Sequence, residues 1–173
     1  MLPLFEKLIR IFFVNHHTTK LQEGDKAPDF IGRDEHGNKV ALKDLRGKKV
    51  ILYFYPEDDT PTCTTESCNL RDNYSKLKRK GYVVFGVSIN DEKSHQKFIK
   101  KYKLPFSLIA DTDRKIIDAY DVWGSKTVFG KTYDDLIRTT FVIDEKGKIE
   151  KIIRDVKAKM HTGQILETNL VNS

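Results

Sequence analysis

The chain is sparing with sulfur and with proline: its 173 residues include two cysteines, two methionines and five prolines. Two cysteines exclude a disulfide-stapled scaffold, which needs several bridges to replace a core. They also exclude a zinc site of the usual kind. Cys-x-x-Cys and His-x-x-x-His spacings are lacking, and the His16-His17 pair with the isolated His36, His95 and His161 does not supply them. Long apolar runs are missing too. The uninterrupted run near the N-terminus, Ile11 to Val14, is far short of the ~20 residues of a membrane span. Charges interrupt that stretch and no small-residue cleavage site follows, which disfavours a signal peptide. Net charge is +6, yet the lysines lie among acids, as in Asp91-Glu92-Lys93, and no basic stripe with interleaved aromatics appears. Nucleic acid is therefore not an expected partner.

At 39% hydrophobic and 32% charged residues, the composition is that of one globular domain with a core of its own. Residues 1–20 stand apart. Leu4, Phe5, Leu8, Ile9, Phe12 and Phe13 recur at helical spacing with Glu6, Lys7 and Arg10 between them. They predict an N-terminal extension in the form of an amphipathic helix, lying on the protein body or at a partner contact, without membrane contact. Residues 21–173 read as one continuous domain. Phe30 to Leu42 predicts a hairpin turning at residues 34–38, and Lys49 to Tyr55 a buried central strand. A helix should follow from Pro61 to Lys80, ended by Gly81. Then come a strand over 82–89, a helix through Tyr102, a short strand over 106–110 and a short helix over 114–120. A hairpin of 139–144 with 148–156 and a last helix over about 162–170 complete the order. The fold class is α/β: a central mixed sheet flanked by helices, with an N-terminal hairpin, in the thioredoxin-like layout.

Both cysteines lie in Thr60-Pro61-Thr62-Cys63-Thr64-Thr65-Glu66-Ser67-Cys68, directly after the strand that Pro56 must end. Thr60 followed by Pro61 is a helix start, with a side-chain oxygen at the cap and proline at the first helical position. Cys63 then falls in the first turn, where unpaired N–H groups and the positive end of the helix favour thiolate over thiol. The Thr60 hydroxyl is expected to accept from a first-turn N–H, and Asp58 and Asp59 to face solvent. Five residues on a helix span about 140° of rotation and ~7.5 Å of rise, which puts the two Cα atoms ~8.6 Å apart. That exceeds the roughly 7 Å limit for a disulfide. Cys63 and Cys68 therefore pair only if the first turns unwind.

The chain resembles the peroxiredoxins, specifically the Q-type or bacterioferritin-comigratory branch. The family motif Pro-xxx-Thr-xx-Cys reads here as Pro56 to Cys63, and the branch's second cysteine five residues on is Cys68. Further matches are Gly24-Asp25-Lys26-Ala27-Pro28-Asp29-Phe30, Lys103-Leu104-Pro105-Phe106 and Arg138-Thr139-Thr140-Phe141. The resemblance implies that Cys63 is the peroxidatic and Cys68 the resolving cysteine. It makes Thr60 and Arg138 ligands of the peroxide oxygens and Pro56 a shield over the site. It further implies a thiol peroxidase acting on hydrogen peroxide and organic hydroperoxides, needing no cofactor, recycled by thioredoxin or a similar dithiol, and monomeric. The cytoplasm is the default compartment, with an organelle or the periplasm as alternatives. A protein thiol-disulfide oxidoreductase and a non-enzymatic redox sensor are the alternatives. Thr62 departs from the family's usual glycine before the cysteine and should add bulk beside the substrate; Asp121 and Asp135 also replace common glycines.

Overall fold

The computed structural model describes residues 3–5, 8 and 12–167. Its centre is a five-stranded sheet built on β4 (Lys49–Phe54), whose residues after Lys49 are all buried. β5 (Tyr82–Ser88) pairs parallel with β4, and β6 (Ser107–Ala110) parallel with β5. On the other side β9 (Thr139–Ile143) runs antiparallel to β4, and β10 (Ile149–Ile153) antiparallel to β9. Alternation along β4 sends Val50, Leu52 and Phe54 into one core, with Ile116, Ile117, Tyr120 and Phe141. Ile51 and Tyr53, followed by Tyr55, enter the other, with Cys63, Leu70, Leu77 and Phe98. A strand with two covered faces has no polar side to show, which is why this run carries no polar alternation.

Helices α1 (Pro61–Asp72), α2 (Tyr74–Arg79), α3 (Glu92–Tyr102) and α5 (His161–Leu166) contribute buried side chains to the second core. Helix α4 (Lys115–Ala119) and the hairpin of β2 (Ile31–Arg33) with β3 (Lys39–Ala41) serve the first. The helix expected over 61–80 is two helices. It breaks at Asn73 (φ −108°, ψ 8°), whose side-chain amide turns back to the Asn69 carbonyl and competes with the helical ladder. Gly81 takes the left-handed conformation (φ +85°) that ends α2. The final helix is described as far as Leu166; residues 168–170 of the expected span lie outside the described residues.

Three strands lie outside the expected order. β7 (Trp123–Val128) and β8 (Lys131–Leu136) form a hairpin turned by Phe129 and Gly130, both at positive φ. β1 (Phe13–Asn15) adds antiparallel to β7. Thus the extension expected as one helix over 1–20 is helical at Leu4, Phe5, Leu8 and Phe12 and extended at Phe13–Asn15. Its end is anchored by Thr19, buried, which donates to the Tyr120 carbonyl at 2.7 Å. Among the described residues no helix is long and apolar enough to cross a membrane. β8 delivers the chain through Ile137, whose N–H bonds the Val122 carbonyl at 2.7 Å, to Arg138 at the edge of the central sheet.

Candidate active site

Helix α1 buries Cys63, Glu66, Ser67 and Leu70, a stripe at i, i+3, i+4 and i+7 that faces the core. Cys63 in its first turn is 1% exposed. Arg138, arriving from the β8–β9 junction, points Nη2 at Cys63 Sγ at 3.2 Å. Its Nη1 donates to Glu66 Oε2 at 2.5 Å. The guanidinium thus bridges two groups one helical turn apart on α1. Burial works against its charge, but Glu66 and Cys63 more than offset that, so the Arg138 pKa is raised and the group stays cationic. Glu66 itself is fully buried. Its second oxygen, Oε1, finds no hydrogen-bond partner among the described residues.

The Pro56–Thr60 loop is organised differently from the sequence expectation. The Thr60 hydroxyl does not cap α1; it donates to the Glu57 carbonyl at 2.9 Å, while the Thr60 carbonyl accepts from Thr64 N–H at 2.9 Å. Asp58, expected in solvent, is buried. It accepts from Tyr55 Oη at 2.5 Å and Ser94 Oγ at 2.8 Å, and pairs with His95 Nδ1 at 2.8 Å. His95 is fully buried, its Nε2 facing the Ile109 carbonyl at 3.2 Å. The loop turns inward because these donors, projecting from β4's end and α3, compensate the carboxylate. Asp59 does face solvent, held at φ +58° by Lys101 and Tyr102. Pro56 is half-buried at the strand exit, and Thr62 is exposed.

Cys68 lies off the buried stripe, half-exposed, in a depression of about 360 Å³ lined also by Thr64, Thr65, Asn69, Asp72 and Lys159. Both thiols are free and α1 is continuous between them. Partial burial raises the Cys68 pKa, with Arg71 opposing and Asp72 adding to the effect. The structure therefore brings together Cys63 and Arg138, sets Thr60 one turn before Cys63, and keeps Cys68 apart. Glu66 was missed from the sequence, although an acid three residues after Cys63, on the apolar stripe, is a signal that could have found it. Among the described residues no group of three or more His, Cys, Asp or Glu side chains could hold a metal ion.

A buried thiol in a helix's first turn, bridged by a cation, on a thioredoxin-like sheet defines a thiol-based redox protein. Residues 23–152 match the AhpC/TSA family. The chain belongs to that family. It is 46% identical over 146 residues to a putative peroxiredoxin Bcp of Coxiella burnetii, covering 84% of this chain and 97% of that one. It is 43% identical over 148 residues to peroxiredoxin Bcp of Bacillus subtilis, covering 86% and 94%. Peroxiredoxin Q of Xanthomonas campestris superposes with a TM-score of 0.76 at 29% identity, over 85% of this chain and 93% of the other. The enzyme class is that of the peroxiredoxins, thiol peroxidases with a thioredoxin-like fold.

Proposed function

We propose that Cys63 is the peroxidatic cysteine and Cys68 its resolving partner. The Cys63 thiolate attacks one peroxide oxygen of ROOH. The O–O bond breaks, sulfur keeps the transferred oxygen as a sulfenic acid, and the departing RO⁻ takes a proton to leave as water or an alcohol. Cys68 then attacks the sulfenic sulfur, water leaves, and the disulfide joins the two residues. An external dithiol, thioredoxin in this reading, returns both to thiols. No other group need carry the two electrons, because sulfur holds them.

The observation that carries this reading is the 3.2 Å approach of Arg138 Nη2 to Cys63 Sγ. A permanent cation with several donors stabilises the thiolate and can polarise the O–O bond as charge develops on the leaving oxygen. The Thr60 hydroxyl keeps lone pairs for a peroxide O–H, and Pro56 screens the thiolate from water. A similar solved structure, the bacterioferritin comigratory protein of Xanthomonas campestris, is described for its alkyl peroxide reduction activity, which supports alkyl hydroperoxides alongside hydrogen peroxide as substrates. Residues 21–173 constitute the catalytic domain and 1–20 an appended extension; the enzyme acts as a monomer in the cytoplasm without membrane contact.

The test is peroxide consumption coupled to thioredoxin. Cys63→Ser should abolish it, whereas Cys68→Ser should form one sulfenic acid per chain and then stall. Equal turnover by Cys63→Ser and wild type overturns the assignment. Insulin reduction without peroxide consumption would instead support a protein thiol-disulfide oxidoreductase.

A further inference from the structure

Glu66 lies between the two cysteines, inside the stretch of α1 that must unwind before they can meet. What holds Glu66 therefore holds the helix shut. One of its oxygens is served by Arg138; the other, Oε1, faces His161 Nε2 at 3.4 Å across a region where both side chains are fully buried. His161 begins α5, the last described helix, and takes no part in the chemistry above. Each of its ring nitrogens has a polar neighbour. The Gln164 amide is oriented by two backbone groups: its oxygen accepts from Lys157 N–H at 2.9 Å and its nitrogen donates to the Asp155 carbonyl at 2.8 Å. That same oxygen lies 3.2 Å from His161 Nδ1.

Nε2 faces two oxygens, Thr140 Oγ1 at 2.9 Å and Glu66 Oε1 at 3.4 Å. Thr140 can give or take a hydrogen bond, while an ionised Glu66 can only take one. The hydrogen bond at Nε2 is shared with Thr140 Oγ1, and Glu66 Oε1, which has no hydrogen bond of its own among the described residues, lies beside it at ion-pair distance.

We propose that His161 is a positioning residue whose imidazole, lying against the otherwise unpartnered Glu66 Oε1, holds Glu66 in place, locking the segment between Cys63 and Cys68 into the folded helix and so governing how fast disulfide formation follows oxidation. The role rests on the Cys63–Cys68 cycle proposed above. A second clasp lies beside it: the Asn69 amide oxygen accepts from Thr162 N–H at 2.8 Å, tying α1 to the same start of α5. The two contacts make α5 a bar across α1.

The decisive measurement is amide hydrogen exchange over residues 62–68 in the reduced protein at fixed pH. His161→Phe fills the space without a donor, and exchange there should rise about tenfold, whereas the parallel core strands should keep their protection. His161→Gln restores an N–H donor near the Nε2 position and should return exchange to within about threefold of wild type. If His161→Phe does not fold, His161→Asn, an amide too short to reach Glu66, supplies the same contrast. In the peroxide assay, the donor-less variant should form disulfide faster and accumulate less sulfinic acid at high peroxide, with an unchanged first oxidation step. Unchanged exchange over 62–68 in the donor-less variant overturns the proposal, as does failure of Gln to restore protection. Exchange that responds as expected in a protein inert to peroxide would sink the catalytic reading and leave the lock standing.

Discussion

Arg138→Ala tests the site where its two interactions converge. The side chain donates to Cys63 Sγ at 3.2 Å and to Glu66 Oε2 at 2.5 Å, with the arginine 17% and the glutamate 0% exposed. A hydrogen bond to a charged group contributes about 1.5–3 kcal/mol. If that interaction stabilises the thiolate and the transition state, its loss slows attack on peroxide by roughly 10- to 150-fold at about 1.4 kcal/mol per tenfold. The substitution also strands Glu66 as an uncompensated buried charge, a defect that costs about 3–5 kcal/mol of stability. The two effects separate in the double variant Glu66→Gln/Arg138→Ala, which removes the stranded charge and should recover stability but not rate. Stopped-flow measurement of the second-order rate with hydrogen peroxide, in a Cys68→Ser background so that only oxidation is seen, reads the first effect. Urea titration reads the second. A rate within about twofold of the parent, in a variant shown to be folded, would refute the role given to Arg138.

Two further outcomes follow from neighbouring contacts. Burial raises the Cys68 pKa, so less of its nucleophilic thiolate is present at neutral pH than for a free thiol, and disulfide formation should accelerate as pH rises, by up to about tenfold per unit below that pKa. Rapid-quench analysis of the pre-oxidised enzyme between about pH 6 and about pH 8 measures this, and a flat profile contradicts it. His95→Leu removes the partner that Asp58 has at 2.8 Å, both side chains being nearly inaccessible, and should cost about 3–5 kcal/mol in urea titration; a loss below about 1 kcal/mol would show that Tyr55 and Ser94 suffice for Asp58.

The core elements were legible because periodicity and chain-breaking residues agree there. β4 has apolar side chains on both faces and ends at a proline, and α3 opens on Asp91, which accepts from Ser94 N–H, and closes at Lys103 in the left-handed conformation. β7 and β8 were not legible: Trp123–Val128 is half-buried throughout, and Lys131-Thr132-Tyr133-Asp134 is exposed, so neither strand shows an apolar face. Polar side chains misled the reading of the Pro56–Thr60 loop. Two adjacent aspartates suggest solvent, yet Asp58 and Asp59 diverge because Tyr55, Ser94 and His95 meet only one of them. Tyr55 is three positions from Asp58, but Ser94 and His95 are 36 and 37 positions away, and nothing local announces them. The Thr60 hydroxyl instead turns back to donate to the Glu57 carbonyl, and its oxygen accepts from no N–H of the first turn. Cys63, Arg138 and Pro56 were carried by motif, and the contact between Cys63 and Arg138 adds the geometry.

Helix α1 is composed largely of residues that favour other conformations when left alone: Thr62, Thr64, Thr65, Ser67 and Asn69 all rank below alanine in helix-forming tendency. Its order is borrowed from the walls around it. Thermal hardening by the usual surface replacements, such as alanine at Thr65, should therefore trade against throughput, because a helix stable in its own right would be slow to melt in the disulfide-forming step proposed for Cys63 and Cys68. Evolution toward hotter habitats, or engineering for shelf life, would have to firm the sheet and leave this one segment soft.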